Sequence, residues 1–152
     1  MSVYTEFRRK HQEEISAIPI AFAFEEKHLK DALQQLGLTE NDRDKVTSLY
    51  GAGDIMRKED IEKYLSLCEK HQEELAAKIA GDVAGNGFIL DMFDTELADH
   101  EYSYSQDPSD ALEALGLTMK DVNANKALRH GFMLACKKQS SWYSEQMQLD
   151  GR

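Results

Sequence analysis

The sequence predicts a mostly α protein, folded as a compact bundle of about five to six helices. Apolar residues recur at three- and four-residue steps through most of the chain, which is the period of a helix with one buried face. The 152 residues are 41% hydrophobic, which is enough to bury a core. Residues 46–58 contain two glycines and a few strand formers, so we predict a short β-hairpin or an irregular loop there. We therefore expect a single helical domain over residues 1–152.

The first half of the chain predicts two helices. The apolar stripe of the first helix is formed by Tyr4, Phe7, His11, Ile15 and Ile18. Pro19 stops this helix, and the apolar run IPIAFAF that follows is able to cross the core. The second helix carries Leu29, Leu33 and Leu36 and ends at Gly37.

The second half predicts longer helices. A helix from about Glu59 to Ala80 has an inner face formed by Ile61, Leu65, Cys68, Leu75 and Ile79. Glycines then end this helix. The next helix is predicted to bury Ile89, Met92, Phe93 and Leu97. The segment HEYSYSQDP reads as a turn, and DALEAL as a short helix. The last helix carries Val122, Leu128, Phe132, Ala135, Cys136, Tyr143 and Met147.

One sequence pattern, D-A-L-x-x-L-G-L-T-x-x-D, occurs at residues 31–42 and again at residues 110–121. In each copy a helix ends at Gly37 or Gly116, where glycine adopts positive φ readily. Thr39 or Thr118 then caps the next helix, with an aspartate three residues later in a variant of the capping box. Each copy therefore predicts a corner between two helices.

A second pattern, KHQEEI at residues 10–15, returns as KHQEEL at residues 70–75. Each copy lies on an amphipathic helix with its histidine in the apolar stripe. The order of the two repeats is the one that a tandem duplication, with halves at residues 1–56 and 57–152, would produce. The alternative is convergence, because glutamate-rich helices and Leu-Gly-Leu-Thr corners recur in unrelated proteins.

The net charge of -10 is concentrated in one segment. Between Lys78 and Lys120 there is no lysine or arginine, while the acids are Asp82, Asp91, Asp94, Glu96, Asp99, Glu101, Asp107, Asp110 and Glu113. Such a patch repels nucleic acid and attracts basic surfaces. The candidate partner-binding residues are Asp91, Asp94, Asp99, His100, Glu101, Tyr102, Tyr104 and Asp107.

Other chemistries have weaker signals in the sequence. Residues 82–93 resemble a calcium loop but lack the final glutamate, so Asn86 is expected to cap the following helix instead. Pairs with metal-ligand spacing are Glu25/His28, Cys68/His71 and Glu96/His100, each without an identifiable second pair. We assign no catalytic residue, no metal and no cofactor, and we expect Cys68 and Cys136 to be reduced core thiols.

The segments IPIAFAF, GNGFILDMF and ELADHEYSYSQDP, the last followed by DALEALGL, carry a family resemblance. On these segments the chain resembles a group of small uncharacterised proteins from gut Firmicutes and their phages. The group has no established activity, so the resemblance implies only a setting. A phage or mobile-element origin implies a protein that interacts with the host, including acidic inhibitors of nucleic-acid-binding defence proteins.

The function predicted from these observations is that of a small acidic, non-enzymatic interaction protein. Its partner is expected to be a basic host protein, such as a nucleic-acid-processing or defence effector. The alternative is a small enzyme or metal protein that uses His100 with Asp99, Glu96 and Glu101. No signal peptide and no membrane-length apolar run is visible, so we expect a cytoplasmic protein that binds neither membrane nor nucleic acid directly. A homodimer is a further expectation.

Overall fold

The structure is a computed structural model that describes residues 2–149, apart from the side chains of residues 142–144 and 146–149. The α-helices are α1 (Val3–Ser16), α2 (Leu29–Gln35), α3 (Lys58–Gly81), α4 (Phe88–Asp99), α5 (Tyr102–Ser105), α6 (Ser109–Ala114), α7 (Met119–Ala124) and α8 (Lys126–Leu149), with 3₁₀ helices at Glu26–His28 and Glu40–Lys45. The strands are β1 (Ile20–Phe22), β2 (Val46–Thr47) and β3 (Asp54–Arg57). Helices hold 70% of the residues, which confirms the mostly α class.

The chain forms two compact units. The first unit comprises Met1–Arg9 and Glu74–Arg152, and the second comprises Lys10–Glu73. Both boundaries fall inside helices, because α1 and α3 each contribute residues to both units. These bounds differ from the halves 1–56 and 57–152, and both the duplication and the single domain stay predictions.

The core of the first unit is built around α4. Its predicted inner residues Ile89, Met92, Phe93 and Leu97 are all fully buried. They pack with the buried residues Tyr4, Ala111, Leu112, Leu115, Val122, Leu128 and Ala135. The helix thus brings together side chains from α1, α6, α7 and α8.

The single last helix that the sequence predicted is in fact two helices, α7 and α8. Asn125 separates them with extended backbone (φ -123°, ψ 118°), and its side chain accepts a hydrogen bond from the N–H of Leu128 (3.0 Å). Asparagine is a favoured N-cap residue, so a second helix begins after Asn125. The apolar pattern continues across this position, and it therefore predicted one helix. The side chains of Tyr143 and Met147 lie outside the described residues.

The loop before α4 packs backbone to backbone against α8. A Cβ placed on Gly85 would lie 2.1 Å from the carbonyl oxygen of Ala127, and one on Gly131 would lie 2.4 Å from the carbonyl oxygen of Gly85. Nδ1 of His130 donates to the carbonyl oxygen of Ala84 (2.8 Å) across the same contact. Only glycine fits at the two glycine positions, since any side chain would push the loop from the helix.

The second unit contains a three-stranded antiparallel sheet in the order β1-β3-β2. The strands β2 and β3 form the predicted hairpin, with Val46 opposite Arg57. The expectation that IPIAFAF crosses the core is wrong, because its central residues form the edge strand β1. Ala21 is buried on one face of β1, whereas Phe22 is 56% exposed on the other. The two-residue alternation of a strand places adjacent apolar residues on opposite faces, so a continuous apolar run is not buried throughout.

The loop between β2 and β3 is held by the buried carboxylate of Asp54. This carboxylate accepts hydrogen bonds from the Ser48 hydroxyl (2.8 Å) and from the backbone N–H groups of Leu49 (2.8 Å), Tyr50 (3.1 Å) and Ala52 (3.2 Å). Burial by itself would raise the pKa of Asp54, but these hydrogen bonds outweigh burial and lower the pKa to about 2. One carboxylate therefore fixes the loop at four points.

The inner face of α3 is partly different from the prediction. Tyr64 is buried (7% exposed), whereas Leu65 is 51% exposed. Ile61, Tyr64 and Cys68 follow a three-and-four step along the helix, and that stripe excludes the next residue, Leu65. The ring of Tyr64 meets Tyr50 edge-on, with a centroid distance of 6.3 Å.

Both predicted corners form, with matching hydrogen bonds. The N–H of Leu38 donates to the carbonyl of Leu33 (2.8 Å), and the N–H of Leu117 donates to that of Leu112 (2.9 Å), as in a Schellman motif. The capping boxes Thr39/Asp42 and Thr118/Asp121 are both complete, and Gly37 and Gly116 have φ of 75° and 69°. The helix after the second corner is α-helical, whereas the residues after the first form a 3₁₀ helix.

We predict that Gly131→Ala and Gly85→Ala each lower the free energy of unfolding by about 1–3 kcal/mol, because the added Cβ overlaps backbone atoms. Gly85 has the further disadvantage of positive φ (82°). Denaturant unfolding measures both effects. Gly81→Ala is the control, since its Cβ would meet nothing within 4 Å. Equal stability of Gly131→Ala and wild type would contradict the backbone packing.

We predict that Asp54→Asn destabilises the protein at neutral pH by about 1–3 kcal/mol, because backbone N–H groups lose an acceptor. The folded-state pKa is about 2, below the unfolded value of about 3.9, so the contribution of Asp54 is present above pH ~4 and is lost as pH falls toward ~2. Thermal unfolding across this pH window should show that Asp54→Asn loses less stability on acidification than the wild type does. Parallel pH curves for the two proteins would refute the assignment, and exposed Asp44→Asn serves as the control.

Candidate functional site

Two of the predicted partner-binding acids on α4 are engaged by other helices of the first unit. Asp91 accepts a hydrogen bond from the backbone N–H of Tyr4 (2.8 Å), at the start of α1. Asp94 accepts from Nζ of Lys138 (2.9 Å) and from Nε2 of Gln139 (2.6 Å), both on α8. The helix α4 therefore uses these carboxylates to hold its neighbours.

Glu96, which the sequence assigns to the alternative site around His100, belongs to a buried polar cluster with the predicted partner-binding residues Asp99 and His100. Glu96 is 4% exposed, and its Oε1 accepts from the hydroxyl of Tyr4 (2.7 Å) and from Nη1 of Arg8 (2.8 Å). The same Arg8 nitrogen lies 2.6 Å from Oδ2 of Asp99. Nδ1 of His100 donates to the carbonyl oxygen of Glu96 (2.7 Å) and lies 3.7 Å from its Oε2. We call Tyr4, Arg8, Glu96, Asp99 and His100 the Glu96 cluster.

The electrostatics of the Glu96 cluster favour a structural role. Burial raises the pKa of Tyr4, and the hydrogen bond to Glu96 raises it further, so the tyrosine stays a neutral donor. Arg8 supplies the positive charge that a buried carboxylate requires. The carboxylate of Glu96 is thus committed to two donors from α1.

The sequence held a partial signal for this cluster. Glu96 falls within the apolar stripe of α4, next to the buried Leu97, and an acid in such a stripe needs a partner. The partners themselves could not be named, because Tyr4 and Arg8 lie 92 and 88 residues away in the chain.

The acids that follow α4 are different, because they lie at the surface. We call residues 101–113 the acidic segment; its exposed carboxylates belong to Glu101, Asp107, Asp110 and Glu113. In the described part of the chain, no lysine or arginine forms an ion pair with any of the four. Asp107 accepts from the N–H and the hydroxyl of Ser109 (2.9 and 2.6 Å), which leaves its charge unneutralised.

The two tyrosines of the acidic segment have unlike surroundings. Tyr104 is 76% exposed. Tyr102 is partly buried. Burial raises the pKa of Tyr102, and its hydrogen bond with the Cys136 thiol raises it further. Tyr104 therefore offers contact area to a partner, whereas Tyr102 anchors α5 to α8.

The loop that resembles a calcium site is closed by its own aspartate. The carboxylate of Asp82 accepts from the backbone N–H groups of Gly85 (3.1 Å), Gly87 (3.0 Å) and Ile89 (2.9 Å). The prediction that Asn86 caps α4 is therefore wrong, since Asp82 does so from outside the helix. Among the described residues, no group of three or more His, Cys, Asp or Glu side chains is placed to hold a metal ion.

The repeated KHQEE patterns meet in the second unit. The rings of His11 and His71 stack with a centroid distance of 3.8 Å and an interplanar angle of 7°. Nε2 of His71 lies 3.4 Å from Oε2 of Glu14, and Nζ of Lys70 lies 3.9 Å from the same oxygen. The stacked pair therefore packs α1 on α3.

Comparison with known proteins identifies the family. The sequence profile of the family of unknown function DUF7659 matches residues 3–138. The chain belongs to the DUF7659 family. No curated protein and no solved structure matches it. Membership in DUF7659 agrees with the predicted resemblance to uncharacterised proteins. In the described part of this DUF7659 protein, no helix is long and apolar enough to cross a membrane.

We predict that Arg8→Met lowers the free energy of unfolding by about 2–3 kcal/mol, because it leaves the carboxylate of Glu96 buried without its cation. Glu96→Gln should rescue part of this loss in the double variant, since the neutral amide requires no cation. Denaturant unfolding of the wild type, both single variants and the double variant measures the coupling. Additive losses would contradict the cluster. Arg43→Met, which breaks the exposed ion pair with Glu26, is the control and should cost about 0.5 kcal/mol or less.

Proposed function

We propose that this DUF7659 protein is an acidic, non-enzymatic interaction protein whose acidic segment binds a basic partner protein. The observation that carries the proposal is the set of four exposed carboxylates at Glu101, Asp107, Asp110 and Glu113, which no described lysine or arginine neutralises. The predicted acids on α4 have a structural role, since they bind residues of α1 and α8.

The chemistry of the segment supports recognition of lysine and arginine. Unpaired carboxylates attract cations over the range of the Debye length and raise association rates at low salt. The exposed ring of Tyr104 adds apolar area, and tyrosine is enriched in interfaces. The partner would therefore present a basic surface with an apolar or aromatic contact beside it.

The resemblance to proteins of gut Firmicutes and their phages supports the choice of partner. A basic surface is typical of proteins that bind nucleic acid, and carboxylates can compete with phosphates for such a surface. We therefore propose a phage or mobile-element protein that acts in the cytoplasm on a nucleic-acid-processing or defence protein of the host.

The alternative enzyme or metal protein around His100 has less support. Of its proposed residues, Glu96 and Asp99 are bound to Arg8, and Nδ1 of His100 donates to a backbone carbonyl. A general base needs a carboxylate or imidazole that is free to accept a proton from a substrate. Glu101 is exposed and lies outside the Glu96 cluster.

The test is affinity capture from a nuclease-treated lysate of the source organism. The variant carries Glu101→Gln, Asp107→Asn, Asp110→Asn and Glu113→Gln, and the matched control carries Glu40→Gln, Glu62→Gln, Glu69→Gln and Glu73→Gln, which are also exposed acids. We expect a partner that the wild type and the control retain, that the variant loses, and that dissociates as salt rises. A partner that binds all three proteins equally, or none that binds the wild type, would refute the proposal.

A further inference from the structure

The outer edge of β1 is an open strand edge. Within the described residues the sheet ends at β1, and nothing pairs with its far side. The backbone N–H of Ala23 donates inward to the carbonyl of Gly53 (2.8 Å). Because pairing alternates along an antiparallel strand, Ile20 and Phe22 direct their N–H and C=O groups outward. The chain bends at residues 24–25 after the strand, where Glu25 has extended dihedral angles (φ -135°, ψ 155°).

This edge lacks the charged residues that usually protect one. Residues 17–24 read AIPIAFAF and contain no lysine, arginine, aspartate or glutamate. Natural edge strands are commonly shielded by charges, proline, bulges or covering elements. Here Pro19 protects only the beginning of the strand. The edge is therefore suited to pairing with another extended segment.

Two exposed phenylalanines are held in fixed positions beside the edge. Phe22 is 56% exposed and Phe24 is 74% exposed, and their rings lie 6.1 Å apart at an interplanar angle of 13°. Phe24 sits on Gly53, where a Cβ would come within 2.6 Å of the ring. The pair is thus a defined apolar surface and not a random exposure of single side chains.

A small cavity adjoins the same strand and adds charge complementarity. It has a volume of about 180 Å³, and its lining residues are Ala23, Phe24, Glu25, Glu26, Leu29 and Ile55. Two carboxylates beside apolar side chains suit a lysine or arginine side chain, which has an apolar stem and a charged end. Glu25 and Glu26 form ion pairs with Lys27 (3.1 Å) and Arg43 (2.7 Å). Both pairs are exposed and contribute little, so an incoming cation can replace them.

We propose that the outer edge of β1 binds an extended, basic segment of a partner protein by strand addition. Its backbone pairs with Ile20 and Phe22, its apolar side chains cover Phe22 and Phe24, and one lysine or arginine enters the cavity beside Glu25 and Glu26. A second copy of this chain fits less well, because each copy carries a net charge of -10. The edge of a three-residue strand is also far smaller than the roughly 800 Å² per partner of a standard interface. This surface shares no residue with the acidic segment, and the inference does not depend on that segment.

The experiment selects binders from a display library of short random peptides on the immobilised full-length protein. Counter-selection uses Phe22→Ser/Phe24→Ser, whose exposed positions allow the variant to fold; circular dichroism checks this. We expect the enriched peptides to alternate apolar residues with lysine or arginine. Two N-methylated versions of an enriched peptide, each with one set of alternate amides methylated, test the pairing. Methylation of the set that faces β1 should abolish binding, and methylation of the other set should leave it unchanged.

Affinity measurements on one enriched peptide then test each contact. We expect Glu25→Gln/Glu26→Gln to weaken binding about tenfold, in a salt-dependent manner. Glu62→Gln/Glu69→Gln is the matched control, and Asp110→Asn/Glu113→Gln separates this surface from the acidic segment; both should leave the affinity unchanged.

Three results would overturn the proposal. They are the absence of enriched peptides, equal binding of the enriched peptides to the wild type and to Phe22→Ser/Phe24→Ser, and a reversible dimer in sedimentation that Phe22→Ser abolishes. The last result would assign the edge to a second copy of the chain.

Discussion

The buried carboxylate of Glu96 imposes the strongest constraint on the first unit. A carboxylate at 4% exposure is tolerated only where a cation and hydrogen-bond donors surround it, and here the Tyr4 and Arg8 side chains that donate to the Glu96 carboxylate both come from α1. The hydroxyl of Tyr4 and the guanidinium of Arg8 can both reach Glu96 because they lie one helical turn apart. The same requirement fixes the start of α1 against α4, and with it the burial of Tyr4 in the core.

Helices α1 and α3 each contribute to two cores. Tyr4 and Phe7 of α1 pack in the first unit, whereas Ile15 of α1, with Ile18 just after the helix, packs in the second. In α3 the order is reversed, since Ile61 and Tyr64 belong to the second unit, and Leu75 and Ile79 belong to the first. Tyr4 and Tyr64 both stand seven residues before the histidine of a KHQEE repeat, and both are buried. This correspondence, like the matching corners, is what a duplication would produce, although convergence would produce matching corners too.

The acids of the chain fall into two groups, those that bind other groups of the same chain and those that are exposed without an ion pair. Asp54 and Asp82 each bind several backbone N–H groups of a loop, so these acids take the place of regular secondary structure. Asp91, Asp94 and Asp99 hold α1 or α8. The four exposed acids of the acidic segment form no ion pair with a lysine or arginine among the described residues. The net charge of -10 therefore overstates how much negative charge is available to a partner, because many of the carboxylates bind donors of the same chain.

The sequence by itself determined the elements whose causes are local. The helical periods, the hairpin at residues 46–58 and the two corners follow from side-chain spacing, from glycine at positive φ and from threonine caps, all of which act over a few residues. The tertiary structure decided which acids are free, because Arg8 and Lys138 reach α4 from distant parts of the chain. It also decided that Tyr64 and not Leu65 faces inward, and that IPIAFAF forms an edge strand. These outcomes depend on which neighbours cover each face, and a local pattern carries no information about them.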